Sequence, residues 1–325
     1  MRRLAVEIEN ALLTLAMERG ADAWPAAAPA PAAPAPTLVR APLLLPGGRI
    51  AEVECASDDL PVTASRINSA GDWEPHVRSF LQTVVQADWV CLDIGAKLGA
   101  HTLLLAVLAH QGRVVAFEAD PANYALLIRN AAALAAPKGR IEPIHVALWD
   151  SVGTLVIGGA DELAGCSFVA EGPADAEDTE QRLRAVLDTS AISQTALHIR
   201  LSDVPAMPLD DWAAANPLQH LDLIKLDVEG SGARVIRGAD RTIREFRPIL
   251  LVEYNPACAK AYFGEPADAL FRELELRFAA IHAVENDGGL TRLPGWPALE
   301  DRLKTGKGWE DLVCLPEART AATSP

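Results

Sequence analysis

The sequence predicts an α/β fold in which a mostly parallel, seven-stranded sheet carries helices on both faces, and three observations predict it. Short apolar runs, nearly unbroken, alternate with helically spaced ones from Trp89 onward, as expected of strands covered on both sides by crossover helices. The first run, Val90-Cys91-Leu92-Asp93-Ile94, opens into the turn Gly95-Ala96-Lys97-Leu98-Gly99 and then into a helix. The second run ends on Glu118, 23 positions after Gly95, where a strand-end acid can accept hydrogen bonds from a ribose. Together these define a Rossmann-like arrangement whose ligand lies beyond the carboxyl ends of the strands.

Taken in order, residues 1–20 read as an amphipathic helix, with Leu4, Ile8, Ala11, Leu12, Leu15 and Ala16 on one side. Such a face needs a partner surface; docking on the domain and self-association are equally open, and a protein partner is a further possibility. Residues 21–36, nearly all Ala and Pro, read as an extended linker. Residues 37–70 form a lead-in that contains a hairpin, Thr37 to Leu45 and Arg49 to Ala56 around Pro46-Gly47-Gly48. The main domain spans 71–318, and 319–325 is a disordered tail. Val77, Phe80, Leu81, Val84 and Val85 keep helical spacing. Strands follow at Trp89 to Ile94, Arg113 to Phe117, Ile141 to Ala147, Leu221 to Asp227 and Ile249 to Tyr254, with Phe278 to Glu285 and Asp311 to Leu315 completing the seven. Asp120-Pro121 supplies a helix cap and first-turn proline, and Gly112 closes the helix before it. The acidic, small-residue stretch from about Gly158 to Asp203 breaks the rhythm and reads as an insertion near the site or a partly mobile lid.

Composition narrows the function classes. The net charge of −15, from 44 acidic and 29 basic residues without a basic run, repels phosphate backbones and argues against nucleic acid. Five widely spaced cysteines without a C-x-x-C pair argue against a disulfide framework and a zinc site, and fit a reducing, cytoplasmic setting. Glu7, Glu9 and Glu18 interrupt any export signal, and no stretch reaches a membrane span's roughly 20 apolar residues.

The glycine turn carries the strongest chemical signal. Gly95, Ala96 and Gly99 let backbone approach a ligand, and the helix N-terminus that follows favours negative charge. The pattern is D-x-G-x-x-x-G and not G-x-G-x-x-G, with Lys97 where a pyrophosphate site needs glycine. Asp93, just inside the turn, suits a ligand with cationic ammonium and sulfonium groups, or else organises the turn. With Glu118 placed for ribose hydroxyls, the ligand is adenosyl-like. Farther on, Leu223-Ile224-Lys225-Leu226-Asp227-Val228-Glu229-Gly230 puts Asp227 and Glu229 at a strand's carboxyl end, where they could orient an acceptor hydroxyl, take its proton or bind the ligand's ammonium. The alternative is that one of them caps the next helix. Lys225 reads as an ion-pair partner, His101 as a surface or packing residue that could instead face the ligand, and Asn255-Pro256 as a turn. No histidine spacing suggests a metal site.

At this point the chain resembles the FkbM family of methyltransferases, from about Gly71-Asp72-Trp73-Glu74-Pro75 to Arg247-Pro248-Ile249-Leu250-Leu251-Val252-Glu253. The matching pieces are Asp93-Ile94-Gly95-Ala96, Gly99-Ala100-His101-Thr102, Phe117-Glu118, Asn123 with Asn130, and Ile224 to Gly230. The resemblance implies a class I methyltransferase fold and an O-methyltransferase that uses S-adenosylmethionine on hydroxyls of sugars, glycans or secondary metabolites. On that expectation Asp93, Gly95, Ala96, Gly99 and Glu118 bind the cofactor, Asp227 and Glu229 act on the acceptor, and direct displacement needs no metal. The chain departs from the family's usual Asn at Lys97 and usual acid at Gly232. Lys97 is placed to pair with the ligand's carboxylate or to crowd a cationic ligand. Two other readings accompany this one: a non-catalytic adenosyl-binding or scaffold protein on a degenerate methyltransferase fold, and an NAD-dependent oxidoreductase.

Overall fold

The computed structural model describes residues 37–56, 71–134, 140–160, 167–170 and 199–317, all within one compact unit that begins at Thr37. The expected N-terminal helix, Ala/Pro linker and C-terminal tail lie outside the described residues.

Strands β1 (Leu38–Leu45) and β2 (Arg49–Ala56) pair antiparallel as the expected hairpin. Leu43, Leu45, Val53 and Cys55 on its inner face pack against Trp73, Leu98 and Leu103. Helix α1 (Pro75–Val84) starts on a proline, whose missing amide costs nothing there, and buries Val77, Phe80 and Leu81. Then come β3 (Val90–Ile94), α2 (Ala100–Leu108), β4 (Arg113–Glu118), α3 (Pro121–Ala133) and β5 (Ile141–His145). Asp120 caps α3 as expected, its Oδ1 accepting from the amides of Ala122 (2.7 Å) and Asn123 (3.1 Å). Every residue of α2 from Ala100 to Ala106 is buried, because the helix is sandwiched between the hairpin and the sheet.

The strand expected at Ile141 to Ala147 divides at Val146. Its first part stays in the main sheet, while β6 (Ala147–Leu148) joins β7 (Gly153–Ala160), β8 (Ser167–Ala170) and β9 (Ile199–Met207) in a second sheet of order β6-β9-β7-β8. The described parts of the expected insertion are thus strands, anchored by buried Leu155, Ile157, Val204 and Ala206. After α4 (Leu209–Ala215) the chain returns through β10 (Leu223–Leu226), α5 (Gly232–Arg237), α6 (Asp240–Phe246), β11 (Ile249–Tyr254), α7 (Pro256–Phe263), α8 (Ala269–Glu275), β12 (Ala280–Val284), β13 (Leu290–Leu293), α9 (Trp296–Thr305) and β14 (Glu310–Leu315).

The main sheet has order β13-β12-β14-β11-β10-β3-β4-β5. Its run β11-β10-β3-β4-β5 is parallel and the other pairings are antiparallel. It holds eight strands and not the expected seven: Leu290–Leu293 pairs with β12 at the edge, where three of its four residues are exposed and no apolar run announces it. Asn255-Pro256 is a helix start, not a simple turn, with Asn255 Oδ1 accepting from the Cys258 amide at 3.2 Å. The chain leaves β3 for β4 and β5 on one side and returns to β10 on the other. A crevice opens at such a reversal because the connections diverge.

Candidate active site

An open cleft lies at that reversal, above the carboxyl ends of β3, β4 and β10. Gly95, Ala96, Glu118, Asp227 and Glu229, five of the residues singled out from sequence, line it. Gly95 has φ 78°, and a Cβ there would lie 1.8 Å from the carbonyl oxygen of Asp227. Only glycine lets the turn and the end of β10 pass this closely. The amides of Gly95 and Ala96 both donate to the Phe117 carbonyl (2.9 and 3.0 Å), which fixes the turn on β4. Gly99 does not reach the cleft and instead starts α2 with φ 96°.

Glu118 is buried, and its two oxygens accept from the backbone amides of Lys97 (2.6 Å) and Asp120 (2.8 Å). Desolvation, helped by the Asp120 charge and opposed by the two amides, pushes its carboxyl up to about 7. Asp93, expected either to meet the ligand or to organise the turn, is not among the residues that line the cleft. It is fully buried beneath the turn, off the cleft, with Oδ2 accepting from Thr102 Oγ1 at 2.6 Å and Oδ1 3.9 Å from Lys225 Nζ. Burial raises its pKa, and the Lys225 charge works against that rise.

Lys225 is the ion-pair partner that the sequence suggested, 3.1 Å from Asp227 Oδ2. Its burial favours the neutral amine, yet Asp227, Asp93 and Glu74 outweigh that and hold it cationic. Ser231, not Asp227 or Glu229, is the N-cap residue of α5, and the Ser231 hydroxyl donates to the Val228 carbonyl at 2.8 Å. Glu229 sits in left-handed backbone, φ 46°, with the Cys258 thiol donating to its Oε2 at 3.8 Å. Lys97 is also left-handed, φ 51°, and its ammonium lies 5.8 Å from the centre of the Trp73 ring. Asn130 is structural: its Nδ2 donates to the carbonyls of Leu98 (2.8 Å) and Glu54 (3.0 Å), and its Oδ1 accepts from the Glu54 amide, tying turn, hairpin and α3 together.

Sequence reasoning did not place Trp73, Trp149, Ile157 and Val169 in the cleft. Only the Gly71–Pro75 likeness pointed to Trp73, and the second-sheet residues carry no local signal. His101, read mainly as packing, is both buried and part of the lining. Among the described residues no group of three or more His, Cys, Asp or Glu side chains is arranged to hold a metal ion, and no helix is long and apolar enough to cross a membrane.

Sheet order, glycine turn and strand-end acid together define a class I methyltransferase fold. The sequence model of the methyltransferase FkbM domain matches residues 93–277, and the chain belongs to that family. Methyltransferase sdnD of Sordaria araneosa is 29% identical over 173 residues, 51% of this chain and 66% of that one. The 2-O-methyltransferase NoeI of Sinorhizobium fredii is 25% identical over 178 residues, 55% of this chain and 68% of its own. Among solved structures, the methyltransferase FkbM from Methylobacillus flagellatus is 16% identical, with a TM-score of 0.42 over 70% of this chain and 44% of that one.

Proposed function

We propose that the chain transfers a methyl group from S-adenosylmethionine to a hydroxyl of a sugar, glycan or secondary metabolite, without a metal and in a reducing, cytoplasmic setting. The observation that carries the reading is Glu118, a desolvated carboxylate aimed by two backbone amides at the rim of the cleft beside the glycine turn. A carboxylate so held suits the paired hydroxyls of a ribose, at about 1.5–3 kcal/mol for each charge-assisted bond. The missing Cβ at Gly95 supplies the close backbone approach that an adenosyl ligand needs. Glu118, Asp120, Asp227 and Glu229 outnumber Lys97 and Lys225 in the lining, which favours a ligand of net positive charge. When bound, the donor supplies an electrophilic methyl on a sulfonium. The protein's part is alignment, which can account for several kcal/mol of a displacement barrier. In this reading Gly95, Ala96 and Glu118 hold the donor, with Asp93 and Gly99 shaping the turn, and Asp227 or Glu229 orients the acceptor. The 2-O-methyltransferase name of the Sinorhizobium fredii relative favours oxygen as the acceptor atom.

Calorimetric titration with S-adenosylmethionine and, in parallel, with NAD tests the reading. Micromolar binding of the first alone, abolished by Glu118→Ala, is the expected result. Binding of NAD in preference, or full affinity in Glu118→Ala, overturns it.

A further inference from the structure

We propose that His101 accepts the proton of the hydroxyl that becomes methylated, and that Glu74 positions its imidazole. The proposal rests on the reading of the cleft as a methyl-transfer site and extends it to the proton. An alcohol that attacks a methyl group must lose its proton, and the acids lining the cleft are poorly suited to take it. Asp227 is already engaged, its Oδ2 accepting from the Lys225 ammonium at 3.1 Å. Glu118 is bound by the amides of Lys97 and Asp120, Asp120 caps α3, and Glu229 accepts from a thiol.

The cleft lining contains one imidazole among the described residues. His101 stands in the first turn of α2, 5% exposed, with Nε2 3.4 Å from Glu74 Oε2. Glu74 approaches from outside the lining, its side chain only 12% exposed. It is the N-cap residue of α1, yet its carboxylate makes no cap hydrogen bond. Its backbone has φ 43°, a left-handed conformation that is unfavourable for a non-glycine residue. Strain of this kind persists where the surroundings enforce it, commonly around active sites. Glu229 and Lys97, which do line the cleft, share the feature.

With Nε2 3.4 Å from Glu74 Oε2, the proposal assigns the hydrogen of the neutral ring to Nε2 and takes Nδ1 as the basic nitrogen. In the step, the hydroxyl oxygen bonds the methyl carbon, the carbon–sulfur pair remains on sulfur, and the hydroxyl proton passes to Nδ1. The sulfonium charge is exchanged for an imidazolium that faces Glu74. An imidazole is matched to this task near neutral pH. The charged groups around the pair are Lys97 in the glycine turn, Lys225 and Asp227 on and after β10 with Asp93 behind them, and Lys307 before β14, whose charge interacts with Glu74.

The test uses the full chain with S-adenosylhomocysteine and two variants. Long-range proton–nitrogen NMR follows the His101 ring, assigned by loss of its signals in His101→Gln, in wild type and in Glu74→Gln. The proposal expects a neutral ring protonated at Nε2 and a titration midpoint at least one pH unit lower in Glu74→Gln, a tenfold loss of proton affinity. It also expects His101→Gln to bind S-adenosylmethionine within threefold of wild type by calorimetry. An unchanged midpoint in Glu74→Gln overturns the pairing. A tenfold or greater loss of donor affinity in His101→Gln overturns the proton-acceptor role, because the ring would then belong to the donor site. If the wild type fails to bind the donor, the methyl-transfer reading falls, and the proton-acceptor role with it. With a hydroxyl acceptor identified by tritiated-methyl screening, His101→Gln lowers kcat at least a hundredfold at unchanged KM for the donor; an unchanged kcat overturns the role.

Discussion

Replacing Glu118 with glutamine removes a buried charge whose cost the structure allows to be worked out. The carboxyl titrates at about 7 in the folded chain, against an ordinary value of 4.5, because desolvation and Asp120 disfavour its ionised form. A folded-state pKa above the unfolded one means that the native protein holds the proton more tightly. Stability from this group is therefore full below 4.5 and is lost as pH rises through 7. The total is 2.5 pH units at about 1.36 kcal/mol each, or roughly 3.4 kcal/mol, of which about 2.5 kcal/mol falls between pH 5 and pH 8. Urea unfolding of wild type and Glu118→Gln across that range measures it. The variant should gain on wild type by about 2.5 kcal/mol from pH 5 to pH 8, whatever the offset caused by its altered bonds to the Lys97 and Asp120 amides. In the same window the wild type's affinity for S-adenosylmethionine should fall as pH drops below 7, since ribose hydroxyls need the ionised acceptor. Parallel stability curves, with a gap constant to within about 0.5 kcal/mol, would refute the argument that Glu118 is held desolvated for a ligand.

Three further outcomes follow from the same structure. Lys225→Met leaves the buried Asp93 beside Asp227 without its cation and should destabilise by about 3–5 kcal/mol in urea unfolding at pH 7. Since burial already raises the Asp93 pKa, the loss should shrink in acid as Asp93 protonates; a loss that grows in acid contradicts the assignment. Lys97→Asn, at φ 51°, places a residue tolerant of left-handed backbone and should raise stability by up to about 1 kcal/mol while changing donor affinity at least tenfold in one direction; unchanged affinity would mean that the ammonium does not sense the ligand. Trp212→Ala opens a cavity where the indole, fully buried, meets Phe117 edge-on at 5.1 Å, and should cost about 3–5 kcal/mol by thermal or urea unfolding; a cost under about 1 kcal/mol would mean that this core collapses around the loss.

The parallel strands were legible because burial on both faces leaves apolar runs such as Val114 to Phe117 and Ile249 to Val252, and the turn was legible because a close approach of two main chains demands glycine at position 95. The edge strand Leu290–Leu293 was not, since an exposed antiparallel edge is held by backbone pairing and places little demand on its side chains. The second sheet escaped for a related reason. It is built by a strand that changes sheets at Val146, and a periodicity of two continues through such a crossing unaltered.

For the site, residues at strand ends could be placed because the strand itself fixes where they stand, as with Glu118 and Asp227. Residues brought in from loops could not. Glu74 reaches His101 only because α1 begins where it does, and its left-handed φ is a consequence of tertiary packing that no local preference announces. Asp93 shows the converse limit: sequence located it correctly beside the turn, but whether it faced ligand or core depended on Thr102 and Lys225 claiming its oxygens from below. On the proposed reading, a carboxylate so claimed acts on the donor only indirectly, through Thr102 at the start of α2. In that reading the proposed donor site depends partly on residues that never touch the donor, and their substitution should alter affinity without removing any direct contact.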